Sequence, residues 1–312
     1  MIEAVDYHTA GEPFRIVTGG VDPLPGLRIL DKRRYAAEHL DHVRRLLVFE
    51  PRGHADMYGC FVTEPEDDGA DLGVVFFHNA GYSTACGHGT IALVTWAIES
   101  GRAAGPEVVV DAPSGRLLTV ARVEDGRVAS VRFRNVSAFV QARDLEAAGR
   151  RVDVAFGGAF YASLRERVEP VELPRLIELG RAIKADLERG HEIVHPSEPE
   201  LRDVYGVIFW QDEGEDPLTQ RNVTVFADGE VDRSPCGSGT SARLALLHQE
   251  GRIATGEPLL HRSIVGSEFT GRVVEATEEG VVTEVEGSAH LTGRHEFVLE
   301  PDDELGEGFL LR

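Results

Sequence analysis

Only two of the 32 lysines and arginines in this 312-residue chain are lysine, Lys32 and Lys184. Lys32 lies in the charged run Asp31-Lys32-Arg33-Arg34, and Lys184 sits among Arg181, Glu188 and Arg189, so both are expected to be solvated. Neither then suits a pyridoxal phosphate Schiff base, and chemistry at an amino acid α-carbon would have to proceed with no cofactor. Positive charge is scarce overall. A formal net charge of −21 argues against a nucleic acid partner, whose phosphates need Lys and Arg to neutralise them. It also requires that local dipoles hold any small anionic substrate. No apolar run reaches the length of a membrane span, so no membrane-spanning helix is expected. The start Met1-Ile2-Glu3-Ala4-Val5-Asp6 has neither the basic nor the apolar region of a secretory signal. The expected location is cytoplasmic, where thiols stay reduced. Cysteine is also rare, at three residues.

Two of those three cysteines open matching motifs 150 residues apart. One reads Ala85-Cys86-Gly87-His88-Gly89-Thr90-Ile91-Ala92, the other Pro235-Cys236-Gly237-Ser238-Gly239-Thr240-Ser241-Ala242. Val75-Phe76 and Val225-Phe226 keep the register upstream, as do Gly101-Arg102 and Gly251-Arg252 downstream. The repeat predicts two similar halves, with residues 1–120 in the first and 121–288 in the second. The last segment, 289–312, is expected to return to the first half.

Strand-like alternation dominates, as in Ile2–His8, Arg15–Thr18, Gly73–Phe77, Leu117–Val123, Val204–Trp210, Asn222–Ala227 and Val281–Val285. Helical spacing marks Tyr35–Leu47 and Leu173–Glu188, the latter expected to stop at Gly190. Two more helices, Gly89–Ser100 and Gly239–Glu250, follow the cysteines and meet a glycine where a C-terminal cap belongs. The fold class is mixed α/β with long antiparallel meanders.

Each cysteine motif places glycines and a helix start beside a thiol. Outward-pointing N–H groups and the helix macrodipole make such a place an anion site, suited to a carboxylate. The same field is expected to pull a thiol below its free pKa of about 8.5. One thiolate could abstract an α-proton while the opposite thiol donates one, the helix starts stabilising the enediolate-like charge.

Further blocks accompany the motifs: His8-Thr9-Ala10-Gly11-Glu12-Pro13, Glu50-Pro51-Arg52-Gly53-His54 with Asp56-Met57, Gly81-Tyr82, Gly157-Gly158 with Phe160-Tyr161, and Asn222-Val223-Thr224 leading to Asp232-Arg233-Ser234-Pro235-Cys236. Together they resemble the proline racemase family, over most of the chain. The resemblance implies a diaminopimelate epimerase-like fold: two similar halves, each a mostly antiparallel sheet wrapped around a central helix, with the active site between them. It implies that Cys86 and Cys236 are the acid–base pair and that His88 and Asp232 contact the substrate's ring nitrogen. Gly87, His88, Gly237 and Ser238 would hold its carboxylate through backbone amides. The substrate would be a small imino acid, with no metal and no cofactor. Dehydratases of the family usually carry Thr at the second cysteine position, so Cys236 favours inversion, with 4-hydroxyproline 2-epimerase as the leading expectation. Pro51-Arg52-Gly53-His54-Ala55-Asp56-Met57 and His195-Pro196 look closer to the dehydratase branch, so trans-3-hydroxy-L-proline dehydratase stays as an alternative. Proline racemase and 3-hydroxyproline epimerase also remain open, as does a non-enzymatic imino acid binding protein. The sequence leaves open whether the chain forms a homodimer.

Several patterns carry less. Cys60, between Gly59 and Phe61, reads as a buried small hydrophobe. His191-Glu192-Ile193-Val194-His195 has a zinc-protease spacing, but Gly190 and Pro196 deny it a continuous helix. The Gly-x-Gly-x-x-Ala spacing at Gly87 and Gly237 lies too far from its preceding strand for a dinucleotide turn.

Overall fold

A computed structural model describes residues 1–311. The chain divides into two units, Met1–Val131 with the segment from Ser288 onward, and Arg132–Gly287. The boundary expected at residue 120 falls inside a strand, Gly115–Glu124, and the observed division lies further along, between Val131 and Arg132. The strand Arg127–Arg134 runs on past the Asp125-Gly126 turn.

The first unit is built from β1 (Ile2–Thr9), β2 (Glu12–Gly19), α1 (Ile29–His39), α2 (Asp41–Val48), β3 (Tyr58–Thr63), β4 (Leu72–His78), α3 (Gly87–Glu99), β5 (Glu107–Ala112), β6 (Gly115–Glu124), the start of β7 (Arg127–Arg134) and the C-terminal strand Ala289–Phe297, here β17. β17 and β2 flank β1, both antiparallel to it. From β2 the sheet continues through a parallel step to β3, an antiparallel step to β4, a parallel step to β5 and an antiparallel step to β6.

The second unit contains β8 (Phe139–Ala147), β9 (Arg150–Phe156), β10 (Phe160–Arg165), α4 (Leu173–Gly190), β11 (Val204–Glu215), β12 (Leu218–Phe226), β13 (Glu230–Asp232), α5 (Gly237–Gln249), β14 (Pro258–Ser263), β15 (Glu268–Thr277) and β16 (Gly280–Gly287). Its order is β8, β9, β10, a parallel step to β11, antiparallel to β12, parallel to β14, then antiparallel to β15 and β16. The two units therefore share one topology. The place that β8 fills at the head of the second sheet is taken in the first by β17, from the far end of the chain.

Each sheet curls around one helix. α3 touches β1, β2, β3, β6 and β17, and α5 touches β8, β9, β10, β15 and β16. A helix enclosed in this way has no solvent face, so it cannot be amphipathic. Ile91, Ala92, Leu93 and Val94 on α3 are fully buried, as are Leu244, Leu246 and Leu247 on α5. Each such leucine contributes roughly 1.5–3 kcal/mol by leaving water. Both helices end as the sequence predicts, with Gly101 at φ 76° and Gly251 at φ 68° one residue past the cap. Among the described residues, no helix is long and apolar enough to cross a membrane.

Other expectations need correction. The single helix predicted over Tyr35–Leu47 is two, because Leu40 leaves helical geometry between α1 and α2. α4 includes Gly190 and stops at His191, which is extended. Lys32 is not solvated. Its ammonium is drawn 2.5 Å from the Glu64 carbonyl, and the residue is 3 % exposed.

Candidate active site

In the first unit the chain leaves β4, turns through residues 79–85, and places Cys86 at the N-cap of α3 with extended backbone (φ −152°). Its Sγ accepts the Gly89 N–H at 3.3 Å. This contact requires glycine: a Cβ at Gly89 would lie 2.7 Å from the sulfur and 2.4 Å from the Phe14 ring. The Cys86 carbonyl accepts both the Thr90 N–H and the Thr90 hydroxyl, each at 2.9 Å. The His88 imidazole lies 3.5 Å from the sulfur and meets the Phe14 and Tyr58 rings edge-on, with centroids 5.6 and 5.0 Å away. Tyr58 donates a short hydrogen bond to Ser83, and Thr9 donates to the His88 carbonyl at 2.9 Å. The N–H groups of Gly87 and His88 belong to the first helical turn, which has no intrahelical acceptor for them.

The second unit repeats the plan with different supports. β13 ends at Asp232, whose Oδ1 accepts the Ser234 N–H at 2.8 Å, and Ser234 Oγ in turn accepts the Cys236 N–H at 3.1 Å. Cys236 is held at φ 62°, a left-handed value that costs a non-glycine residue about 1–3 kcal/mol. Its Sγ lies 3.7 Å from the Tyr161 hydroxyl, which shares a 2.7 Å hydrogen bond with Ser238 Oγ. A Cβ at Gly239 would come within 2.9 Å of this sulfur. The first-turn N–H groups here belong to Gly237 and Ser238.

The electrostatics of Cys236 reverse one expectation. Burial and the neighbouring Asp232 carboxylate push its thiol up to about 12, against the expected lowering by the helix start. Desolvation outweighs the dipole because the residue is 6 % exposed. Burial likewise raises Asp232 to about 6, offset in part by its bonds to Ser234.

Six of the seven residues singled out in the sequence therefore occupy two equivalent helix starts, Cys86, Gly87 and His88 in one and Cys236, Gly237 and Ser238 in the other, while Asp232 ends β13 just before the second. Sequence reasoning did not single out Tyr161, Phe14, Tyr58 or Ser234 as site residues. Tyr161 stood in the block after Gly157-Gly158, where the only signal was proximity to paired glycines. Cys60, on β3, is fully buried, as expected of a small hydrophobe. The segment from His191 to His195 lies beyond the end of α4, so its two imidazoles do not share a helix. Among the described residues no group of three His, Cys, Asp or Glu could hold a metal ion.

A family model described as proline racemase matches residues 4–310. The chain belongs to the proline racemase family. As a member of that family it is an enzyme of a group that comprises racemases and epimerases. It is 44 % identical over 324 residues to a trans-3-hydroxy-L-proline dehydratase of Bacillus cereus, covering 98 % of this chain and 97 % of the relative. It is also 44 % identical over 331 residues to a 3-hydroxyproline 2-epimerase of Burkholderia multivorans, covering 100 % and 98 %. Among solved structures, a hydroxyproline epimerase from Agrobacterium vitis with bound trans-4-hydroxy-L-proline superposes with a TM-score of 0.92 at 31 % identity, covering 99 % and 95 %. The fold, two similar halves each wrapped around a central helix, is the one the resemblance to the family implied.

Proposed function

We propose that this enzyme inverts the α-carbon of a hydroxyproline without a cofactor, with Cys86 and Cys236 as the acid–base pair. One observation carries the reading: both thiols sit at the N-cap of equivalent buried helices, each beside first-turn N–H groups suited to a carboxylate. One thiolate would take the α-proton, the electron pair would spread into the carboxylate, and the other thiol would return a proton to the opposite face. The carboxylate charge would be met by the Gly87, His88, Gly237 and Ser238 amides. His88 and Asp232 would bind the ring nitrogen.

Asp232 connects binding to chemistry in this scheme. In the free enzyme its charge raises the Cys236 thiol. A substrate ammonium beside Asp232 would neutralise that field and favour the carboxylate form. The thiolate at Cys236 would then become cheaper only when substrate is present.

For the ring, the full-length relatives at 44 % identity favour 3-hydroxyproline over the 4-hydroxyproline first expected, and their names also support the dehydratase alternative. The two outcomes diverge at a single carbanion. With a hydroxyl on the β-carbon, the α-carbanion can be reprotonated from the other face or can expel hydroxide to give an enamine that tautomerises to the cyclic imine. A γ-hydroxyl, as in 4-hydroxyproline, cannot leave in this way. Cys236 supplies a proton donor for the first route, so epimerisation is the proposed outcome.

The test is incubation of trans-3- and trans-4-hydroxy-L-proline separately in heavy water, followed by polarimetry, proton NMR and borohydride trapping. An inverted product carrying one deuterium at the α-carbon supports the proposal, and the ring that turns over faster identifies the substrate. A borohydride-trapped proline as the main product would move the assignment to the dehydratase. No turnover and no α-proton exchange on either ring would overturn the reading.

A further inference from the structure

The Cys236 helix start differs from its counterpart on the side facing away from the sulfur. Thr240, the equivalent of Thr90, donates its hydroxyl to the Cys236 carbonyl at 2.8 Å, and its N–H reaches the same oxygen at 2.7 Å. Unlike Thr90, it also meets an imidazole: Thr240 Oγ1 lies 2.7 Å from His261 Nδ1. His261 is on β14 and fully buried. β5 holds the matching place in the first unit and reads Glu107-Val108-Val109-Val110-Asp111-Ala112, which offers no imidazole, and among the described residues Thr90 has no such partner. Gly271 on β15 closes the seat, since a Cβ there would come within 2.8 Å of Thr240 Cγ2.

The hydrogen-bond network assigns the tautomer of His261. The Thr240 proton goes to the Cys236 carbonyl, as the Thr90 proton goes to that of Cys86. With the Thr240 proton placed on the Cys236 carbonyl, Thr240 Oγ1 accepts from His261, which then carries its proton on Nδ1. His261 Nε2 has no hydrogen-bond partner among the described residues. Burial and the nearby Arg243 guanidinium keep the ring neutral, pushing it down to about 3. Arg243 stands where the first helix has Leu93, and it is also buried, stacked 3.9 Å over the Trp210 ring.

From this geometry we infer that His261 is a positioning residue for the second thiol, acting through Thr240 to hold the Cys236 carbonyl and so the left-handed backbone that aims Sγ. The chain runs His261 Nδ1–H to Thr240 Oγ1–H to the Cys236 carbonyl. On the other side of Cys236, Ser234 Oγ holds its N–H, and Asp232 in turn holds the Ser234 N–H. A strained φ persists only when its surroundings over-determine it, and these two sets of bonds do so. Cys86, in an extended conformation, keeps the Thr90 bonds to its carbonyl, but among the described residues no imidazole stands behind that threonine. The inference deepens the proposed function, since it rests on Cys236 being a working thiol.

The test compares His261→Leu, His261→Asn and Thr240→Val in the full-length enzyme. Asn places an N–H donor near the position of Nδ1, whereas Leu and Val break the chain. The first measurement needs no substrate: the rate of iodoacetamide alkylation at each cysteine, resolved by peptide mass, with Cys86 as the internal control. The expected result is a changed rate at Cys236 alone in His261→Leu and Thr240→Val, restored in His261→Asn. The second measurement is α-deuterium exchange into each epimer of the hydroxyproline in heavy water. A displacement of about 1 Å can lower turnover about a hundredfold, so exchange should fall by that order for one epimer, with kcat reduced and KM held. Equal loss for both epimers and both cysteines, or no change in folded His261→Leu and Thr240→Val, would overturn the inference. If the wild-type enzyme exchanges no α-proton, the proposed function fails, while the alkylation contrast still decides whether His261 positions Cys236.

Discussion

The two halves share strand order, helix length and cysteine register, yet they hold their thiols by different means. Cys86 rests on extended backbone beside an imidazole wedged between Phe14 and Tyr58. Cys236 is strained, tethered on both sides by hydrogen bonds, and lies close to a buried carboxylate. Four residues before its cysteine the first half carries Tyr82, where the second carries Asp232. What duplication kept is the backbone dipole and the glycines that let a thiol approach it. What diverged is the charge around each sulfur.

The largest effect should come from testing whether the two thiols are chemically equivalent. Cys86→Ser and Cys236→Ser are each expected to lower epimerisation by about 10²–10⁴-fold, the range for losing one general acid or base. Steady-state polarimetry in both directions measures this. If Cys236→Ser kept full turnover while Cys86→Ser lost it, the halves would not share the chemistry.

The next test uses pH to separate the halves. The folded enzyme holds the Asp232 carboxyl at about 6, above the ordinary 3.8. As pH rises from about 4 to 6, the unfolded chain gives up this proton before the folded one, so Asp232 removes stability over that window. Asp232→Asn should therefore become more stable relative to the wild type as pH rises from 4 to 8, by on the order of 2–3 kcal/mol. Urea unfolding at pH 4 and pH 8 reads the difference. Tyr82→Phe, at the matching place in the first half, should show no pH-dependent gain over that range. A flat Asp232→Asn profile would show that the carboxyl is not held neutral by its burial.

Much of this was legible in the chain. Cys-Gly-x-Gly-Thr repeated at constant spacing gave both helix starts, because glycine, an N-cap thiol and a following apolar run are local signals. The return of β17 beside β1 left only a faint trace, since pairing between distant strands is written in neither strand alone. β3, β8, β10, β13 and β14 were not anticipated. In β3 the near-complete burial of Tyr58–Thr63 erases the alternation that marks a half-exposed strand. The tethers of Cys236 were also hidden. Tyr161 and His261 lie 75 and 25 residues from it, and only the sheet brings them near. The pKa reversal had a similar cause, because a motif reports the helix dipole and not the depth at which the motif is buried.

The second glycine of each motif, Gly89 and Gly239, offers a sharper comparison. Ala at Gly89 would strike the Phe14 ring at 2.4 Å, a rigid group on β2, whereas Ala at Gly239 would meet Cys236 Sγ at 2.9 Å and Ile208 Cδ1 at 3.1 Å. Overpacking against rigid neighbours costs about 1–3 kcal/mol. Gly89→Ala is expected at the upper end of that range and Gly239→Ala at the lower, by thermal or urea unfolding. Equal costs would mean that the first helix start yields as readily as the second.

The smallest effect lies at the far end of the two helices, where Gly101-Arg102 and Gly251-Arg252 repeat. The arginines have diverged in partnership although they match in sequence. Arg252 Nη2 lies 3.0 Å from Asp212 Oδ1, and its guanidinium is 6.0 Å from the Trp210 ring. Arg102 is exposed, forms no ion pair among the described residues, and lines a cavity of about 230 Å³ with Trp96, Phe61 and Thr63. A partly exposed ion pair contributes at most about 1 kcal/mol. Arg252→Ala should therefore cost up to that amount, and Arg102→Ala less than about 0.5 kcal/mol. Raising the salt concentration should shrink the Arg252 cost and leave Arg102 unmoved. Equal costs for the two variants, insensitive to salt, would mean that the arginines serve the helix ends through their aliphatic stems, and that on this face the two halves never diverged.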